Sequence, residues 1–214
     1  MLKDVIFNNE ISAYNDWNIV LTNSEISFPE PKTSTVNIKG ADGELDLSEV
    51  LTGDIKYSNR TVKLTFEMLD DTDYTELMTK IGAYIHGKKL TFQLTNDILY
   101  YYVGRATINS WECVKRKGKI VILIDCEPYK YRCDETIINI DINGEKTLLL
   151  KNERKRVFPN ISVQGAIKMT YNGVNYELSD GVFKLTTFCL SEGDNIIALN
   201  GNGSIKFTYR MGAL

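Results

Sequence analysis

The stretch TVKLTFEMLDDTDYTELMTKIGAYIHGKKLTFQL, residues 61–94, changes its hydrophobic period twice. Residues 61–68 alternate, with Val62, Leu64, Phe66 and Met68 on one side and polar residues between them, as in a β-strand with one wet face. From 73 to 86 the apolar positions are Tyr74, Leu77, Met78, Ile81, Tyr84 and Ile85, the spacing that draws one stripe along an α-helix. Asp73 and Glu76 are placed as a capping box, and Gly87 as a left-handed stop. Residues 89–94 then return to the strand period. The spacing predicts a single substantial helix, packed on a sheet through its tyrosine and isoleucine side.

Outward from this stretch the chain reads as β. Residues 33–38, 100–108, 119–126 and 137–142 are rich in β-branched and aromatic side chains. After residue 131, turn signals recur at Asn143-Gly144, Asn172-Gly173, Asp180-Gly181, Glu192-Gly193 and Gly201-Asn202-Gly203, the last four eight to twelve residues apart. Short strands at that interval predict a compact β-sandwich. Charge divides the chain in the same place. Residues 1–133 carry 16 basic and 19 acidic side chains and residues 134–214 carry 9 of each, so the acidic excess lies wholly in the first part. Two domains are expected, 1–133 and 134–214, with the boundary near Cys133, just after the strand-interrupting Pro128.

Composition excludes several classes of function. With 25% charged and 43% hydrophobic residues in 214, the chain has enough apolar material for a packed core and is not disordered. A formal charge of -3 and a pI near 5.4 leave no global basic surface for reading DNA. The amino terminus lacks a basic start followed by an apolar run, and the longest apolar run, 120–124, is too short to span a bilayer. A soluble protein with no membrane insertion, not exported by the usual route, is expected. Cys113, Cys126, Cys133 and Cys189 form no C-x-x-C pair, so buried free thiols are expected rather than a zinc knuckle or a disulfide scaffold. The N-x-S/T triplets at Asn59, Asn160 and Asn202 carry no meaning without secretion.

The acidic run ADGELDLSEV, residues 41–50, is the strongest candidate for chemistry. A calcium loop counted from Asp42 would need glycine sixth and glutamate twelfth, and it has Leu47 and Gly53 there. A carboxylate pair for glycan cleavage is set by space rather than spacing. Alternation nevertheless puts Asp42, Glu44 and Asp46 on one strand face and Leu45 and Leu47 on the other, the pattern of a solvated strand edge. The lone histidine, His86, ends the predicted helix, where an imidazolium would meet the terminal carbonyls. It leaves no place for a Ser-His or Cys-His mechanism. Gly201-Asn202-Gly203-Ser204 is not a nucleophile elbow, and no phosphate-binding glycine motif occurs. No catalytic residue, metal or cofactor is expected. The basic run Lys115-Arg116-Lys117-Gly118-Lys119 reads as a hairpin turn before an anion site. Tyr100-Tyr101-Tyr102, Trp17 and Trp111 raise a sugar-stacking alternative, against the expectation that both tryptophans fill domain cores.

The ordered pieces ADGELDLSEVLTG (41–53), YSNRTVKLTFEM (57–68), GKKLTFQL (87–94), YYYVGRATI (100–108) and IVILIDCEPYKY (120–131) resemble the amino-terminal domain of siphophage distal tail (Dit) proteins. Residues 176–214, with their GDNI and GNGSIKFTYR segments, resemble the family's carboxy-terminal galectin-like sandwich. The resemblance implies a mainly β chain: a tail-tube-like amino-terminal β-barrel or sheet domain with one α-helix, then a galectin-like β-sandwich. It implies a homohexameric ring at the tail tip, joining the tail-tube protein to the tail-tip or tail-associated protein and the receptor-binding proteins. DNA would pass its lumen without specific binding. With 81 residues, the second domain has no room for a sugar-binding insertion, so a minimal adaptor is expected. Residues 33–60 are then the expected inter-subunit arm, burying Leu45, Leu47, Val50 and Leu51 while Asp42, Glu44 and Asp46 stay wet or line the lumen. A carbohydrate-binding module and a tail-tube protein are the alternatives.

Overall fold

The computed structural model describes residues 4–50, 52–69, 74–114 and 117–214, with backbone alone at 114 and 117. It divides into two compact units, residues 1–130 and 131–214. The first contains β1 (Val5–Phe7), β2 (Ile11–Ser12), α1 (Ala13–Trp17), β3 (Ile19–Ile26), β4 (Pro31–Lys32), β5 (Thr35–Asn37) and β6 (Glu44–Asp46). There follow β7 (Lys56–Tyr57), β8 (Arg60–Met68), α2 (Tyr74–Ile85), β9 (Lys89–Leu94), β10 (Tyr100–Val114) and β11 (Lys117–Cys126). β12 (Lys130–Arg132) straddles the boundary. The second unit continues with β13 (Thr136–Asn152), β14 (Asn160–Tyr171), β15 (Val174–Leu178), β16 (Gly181–Phe183), β17 (Gly193–Tyr209) and β18 (Gly212–Ala213).

In the first unit an antiparallel sheet runs in the order β2-β1-β9-β10-β11-β8-β3. Its inner face is written in the alternation of its strands: Val62, Leu64 and Phe66 on β8, Leu90, Phe92 and Leu94 on β9, and Ile120, Ile122 and Ile124 on β11 are all buried. α2 lays Leu77, Ile81 and Ile85 into the same core. Each such side chain contributes about 1.5–3 kcal/mol of burial. Gly87 takes φ +76 and stops the helix as expected. Met78, assigned to the stripe by spacing, is instead exposed, because the buried stripe is narrower than the apolar one. Asp73 lies outside the described residues.

A second helix escaped the sequence pattern because it is one turn long. α1 is started by Ser12, whose hydroxyl accepts the Asn15 N–H at 2.9 Å while Asp16 accepts the Ser12 N–H at 2.8 Å. Asn18 ends it at φ +53. The turn places Trp17 in the core, 5.4 Å from Phe7 and 5.6 Å from Tyr84 between ring centroids.

The second unit is mainly one sheet, in the order β13-β17-β14-β15 with β16 against β14. Here the turn-based reading needs correction. Asn143-Gly144 and Gly201-Asn202-Gly203 are not turns between short strands; they lie inside β13 and β17, which stay paired for 17 residues from Thr136↔Tyr209 to Asn152↔Gly193. Gly144 faces Gly201, Gly165 of β14 faces Gly203, and all four have positive φ. A Cβ on Gly201 would run into the Ala166 carbonyl, and one on Gly203 into the Gln164 carbonyl. At this glycine seam the sheet folds over itself. Tyr209, paired with Thr136 at one end of the ladder, donates from its hydroxyl to the Lys151 carbonyl at 2.6 Å near the other end. Fifteen residues of straight strand would separate them by about 50 Å. The two halves of the bent sheet are the layers of the sandwich, closed on Phe188, Phe207, Leu150 and Ile197. Asn195, buried beside this core, accepts from the Tyr171 hydroxyl at 2.7 Å and ties down the loop before β17.

Candidate functional site

Between β3 and β8 the chain leaves the sheet and pairs with itself. β4 pairs with β7, and further out β5 pairs with β6 in the register Thr35↔Asp46, Val36↔Leu45, Asn37↔Glu44; neither pair belongs to the large sheet. The register sorts the outer ribbon by face. Val36 and Leu45 oppose each other on one side, while Thr35, Asp46, Asn37 and Glu44 occupy the other. Large apolar side chains along this arm are uncovered, from 45% exposed at Val36 through Ile38, Leu45 and Val50 to 81% at Phe28. Scattered exposed hydrophobics are ordinary on a protein surface, whereas here five fall on about two dozen consecutive residues of a thin ribbon.

The predicted residues fall into place unevenly. Glu44, Leu45 and Asp46 are on β6 with the expected alternation. Asp42 is not on that strand: it sits in the tip loop between β5 and β6, where Gly40 and Gly43 take φ +92 and +75. Leu47 follows the end of β6 and Val50 lies on a tight turn, its N–H donating to the Leu47 carbonyl at 3.1 Å. Leu51 lies outside the described residues. Asp46 holds that elbow together. Its Oδ1 accepts the Ser48 N–H at 2.8 Å and the Ser48 hydroxyl at 2.5 Å, and Ser48 Oγ accepts the Ser34 N–H at 2.8 Å. These Ser48 hydrogen bonds draw the Asp46 carboxyl below its usual range. Residues 28–58 hold six acidic and three basic side chains, a net -3 that equals the formal charge of the whole chain.

The arm's root is clamped to the sheet by residues that sequence patterning did not connect. Ser27 N–H and hydroxyl both donate to the Thr61 carbonyl at 3.0 Å. Tyr57 meets Tyr129 edge-on, ring centroids 6.0 Å apart, and Asn59 Nδ2 donates to Asp125 at 3.1 Å. Arg60 is 3% exposed; its Nε donates to the Pro128 carbonyl at 2.8 Å and its guanidinium lies 5.8 Å from the centre of the Tyr102 ring. The segments YSNR, YYYVGR and CEPYKY, far apart in the chain, thus meet at one point below the arm. Lys130 adds an ion pair to Asp97 at 2.7 Å while standing 4.4 Å over the Tyr100 ring.

Other expectations are settled locally. His86 does not bind the helix-end carbonyls: its Nδ1 accepts the Ile108 N–H at 3.1 Å, and the cation at that helix end is Arg105, which donates to the Gly87 carbonyl at 2.6 Å. Trp17 and Tyr102 are buried, while Trp111 is half-buried against Tyr74. Only Cys126 of the four thiols is buried; Cys113 is exposed, and Cys133 and Cys189 are half-buried. In the basic run, Lys115 and Arg116 lie outside the described residues, and Gly118 is in strand β11 opposite Cys113 rather than in the turn. Among the described residues no helix is long and apolar enough to cross a membrane.

A helix-bearing antiparallel sheet with a self-paired arm, followed by a folded β-sandwich, has a counterpart among solved structures. One solved structure that carries this likeness is SPP1 Dit, described as a paradigm of the hub adsorption apparatus in phages infecting Gram-positive bacteria. The likeness covers 99% of this chain and 100% of that one with a TM-score of 0.66, at 12% sequence identity. It is a likeness of fold. No protein-family model and no curated protein sequence matches the chain.

Proposed function

We propose that this protein is a structural distal tail protein: six copies close into a ring at the tip of a phage tail, between the tail tube and the tail-tip and receptor-binding proteins. The observation that carries this reading is the end-to-end match to SPP1 Dit, which covers 99% of this chain and 100% of that one. The first unit is the ring-forming one and the second faces outward to the adsorption apparatus. A closed ring needs two complementary patches on each subunit. The arm supplies one of them. Its Val36–Leu45 face, with Leu47 and Val50 at the elbow, lies against the neighbouring copy, and the opposite face keeps Glu44 in water. Where Asp42 and Glu44 border the lumen they repel DNA phosphates over roughly 8 Å at physiological salt. The product of the protein is geometry, and no reaction is assigned to it.

Native mass and negative-stain electron microscopy of the purified protein test this. Six chains of 24.3 kDa give a ring of about 146 kDa with a central hole. Monomers at micromolar concentration, or open-ended tubes as a tail-tube protein would form, refute it; binding of the monomer to glycans would favour a carbohydrate-binding module. Replacing residues 31–57 by a short glycine linker is expected to leave folded monomers, and rings that survive the deletion would remove the arm from the interface.

A further inference from the structure

The chain contains four Asn-Gly pairs: Asn143-Gly144, Asn172-Gly173, Asn200-Gly201 and Asn202-Gly203. In an unfolded chain all four are open to the same reaction. The amide nitrogen of the glycine, after losing its proton to base, attacks Cγ of the asparagine; the new N–C bond closes a five-membered ring as the Cγ–Nδ2 bond breaks and ammonia leaves. Water then adds to one of the two ring carbonyls and the ring C–N bond at that carbon breaks, the nitrogen regaining a proton. Opening at Cγ gives aspartate; opening at the main-chain carbon gives isoaspartate, with the backbone rerouted through Cβ.

The fold makes the four pairs unequal. Asn200-Gly201 and Asn202-Gly203 lie in the middle of β17, which is paired on both sides: Gly201 faces Gly144 and Ile167, and Asn202 faces Asn143 and Ala166. The backbone rotation that brings a glycine nitrogen onto Cγ would there break two ladders at once, in the seam where Gly201 and Gly203 already abut the carbonyls of Ala166 and Gln164. Asn143-Gly144 is on the edge strand, yet it sits inside the 17-pair ladder to β17. Asn172-Gly173 differs from these in its pairing. It is the two-residue loop between Tyr171 and Val174, with φ +48 and +78; both residues are exposed, as Asn143 and Gly144 also are, but Asn172 and Gly173 lie outside every strand ladder. Its rotation requires no strand to open.

We infer that Asn172 is the site of spontaneous deamidation and isoaspartate formation in the folded protein, and that the other three Asn-Gly pairs are protected by the sheet. The product has a local consequence. The aspartate or isoaspartate carboxylate adds a negative charge at the tip of the β14–β15 hairpin. Isoaspartate also lengthens by one carbon a turn that fixes the Tyr171↔Val174 register and the neighbouring Thr170–Asn175 hydrogen bond of 2.7 Å.

The full chain is aged at mildly alkaline pH and 37 °C beside the same chain unfolded in urea, and both are mapped by peptide mass spectrometry, scoring the exchange of NH for O and the retention shift of isoaspartyl peptides. Asn172 is expected to convert at least about tenfold faster than Asn143, Asn200 or Asn202 in the folded chain, because strand residues react only from locally opened states. In urea the four are expected to fall within a few-fold of one another. Equal or faster conversion at any of the other three in the folded chain overturns the assignment. So does an unchanged Asn172 over the interval in which the unfolded chain converts.

Discussion

Arg60 and Cys126 are neighbours at the root of the arm, and each is shaped by burial. The guanidinium is pulled toward lower pKa by desolvation but stays charged at neutral pH, since it starts far above that range and is compensated by the Pro128 carbonyl and the Tyr102 ring. Burial pushes the Cys126 thiol from an ordinary 9.0 up to about 12; the Arg60 charge pulls it down and is outweighed. Because the folded pKa is raised, the native state keeps a proton that the unfolded state loses between pH 9.0 and about 12. Stability therefore falls as pH rises through that window, by up to about 1.4 kcal/mol per pH unit from this group. Urea midpoints between pH 9 and 11 are expected to drop more steeply for the native sequence than for Cys126→Ala. Parallel curves would show that the thiol is not held neutral. In the sequence Cys126 continues the Ile120, Ile122, Ile124 alternation, but how far burial shifts its thiol is set by its surroundings.

The bent sheet of the second unit shows how an element is decided by pairs of residues on different strands. Gly203 has both positive φ and a neighbouring carbonyl where a Cβ would go, whereas Gly144 has positive φ in open space. Gly144→Ala is expected to cost about 1–2 kcal/mol from left-handed strain alone. Gly203→Ala adds a backbone collision that no side-chain rotation relieves, so its cost is expected to exceed that of Gly144→Ala by at least about 1 kcal/mol. Urea unfolding of the two variants measures the order, and the reverse order would mean that the seam is not what folds the sheet. Asn-Gly pairs read as turns from sequence because glycine supplies the same positive φ to a tight turn and to a sharp bend inside a strand. The strands on either side were legible; the continuity through the glycines was not.

At the scale of the molecule, the arm combines an uncovered apolar face with all of the chain's excess negative charge. Val36→Asp together with Leu45→Asp places like charges on the face proposed to meet the neighbouring copy, while leaving the core of both units untouched. The expected result is a far-ultraviolet spectrum and urea midpoint like those of the native chain, with the ring lost on size exclusion. Rings that persist would assign the contact to another surface. Glu44→Gln, on the opposite face, is the matched control and is expected to leave assembly unchanged.

The sequence by itself determined the periods: which runs are strands, where the long helix lies and stops, and that acidic and apolar residues alternate along the arm. Period is a local property, fixed by how successive side chains alternate across a strand or recur around a helix. Tertiary structure decided everything that depends on two distant segments meeting. Arg60 under the arm, the fold of the sandwich across Gly144, Gly165, Gly201 and Gly203, and the detachment of the arm from the sheet are of this kind, because a contact between residues far apart in the chain leaves no trace in the spacing of either one.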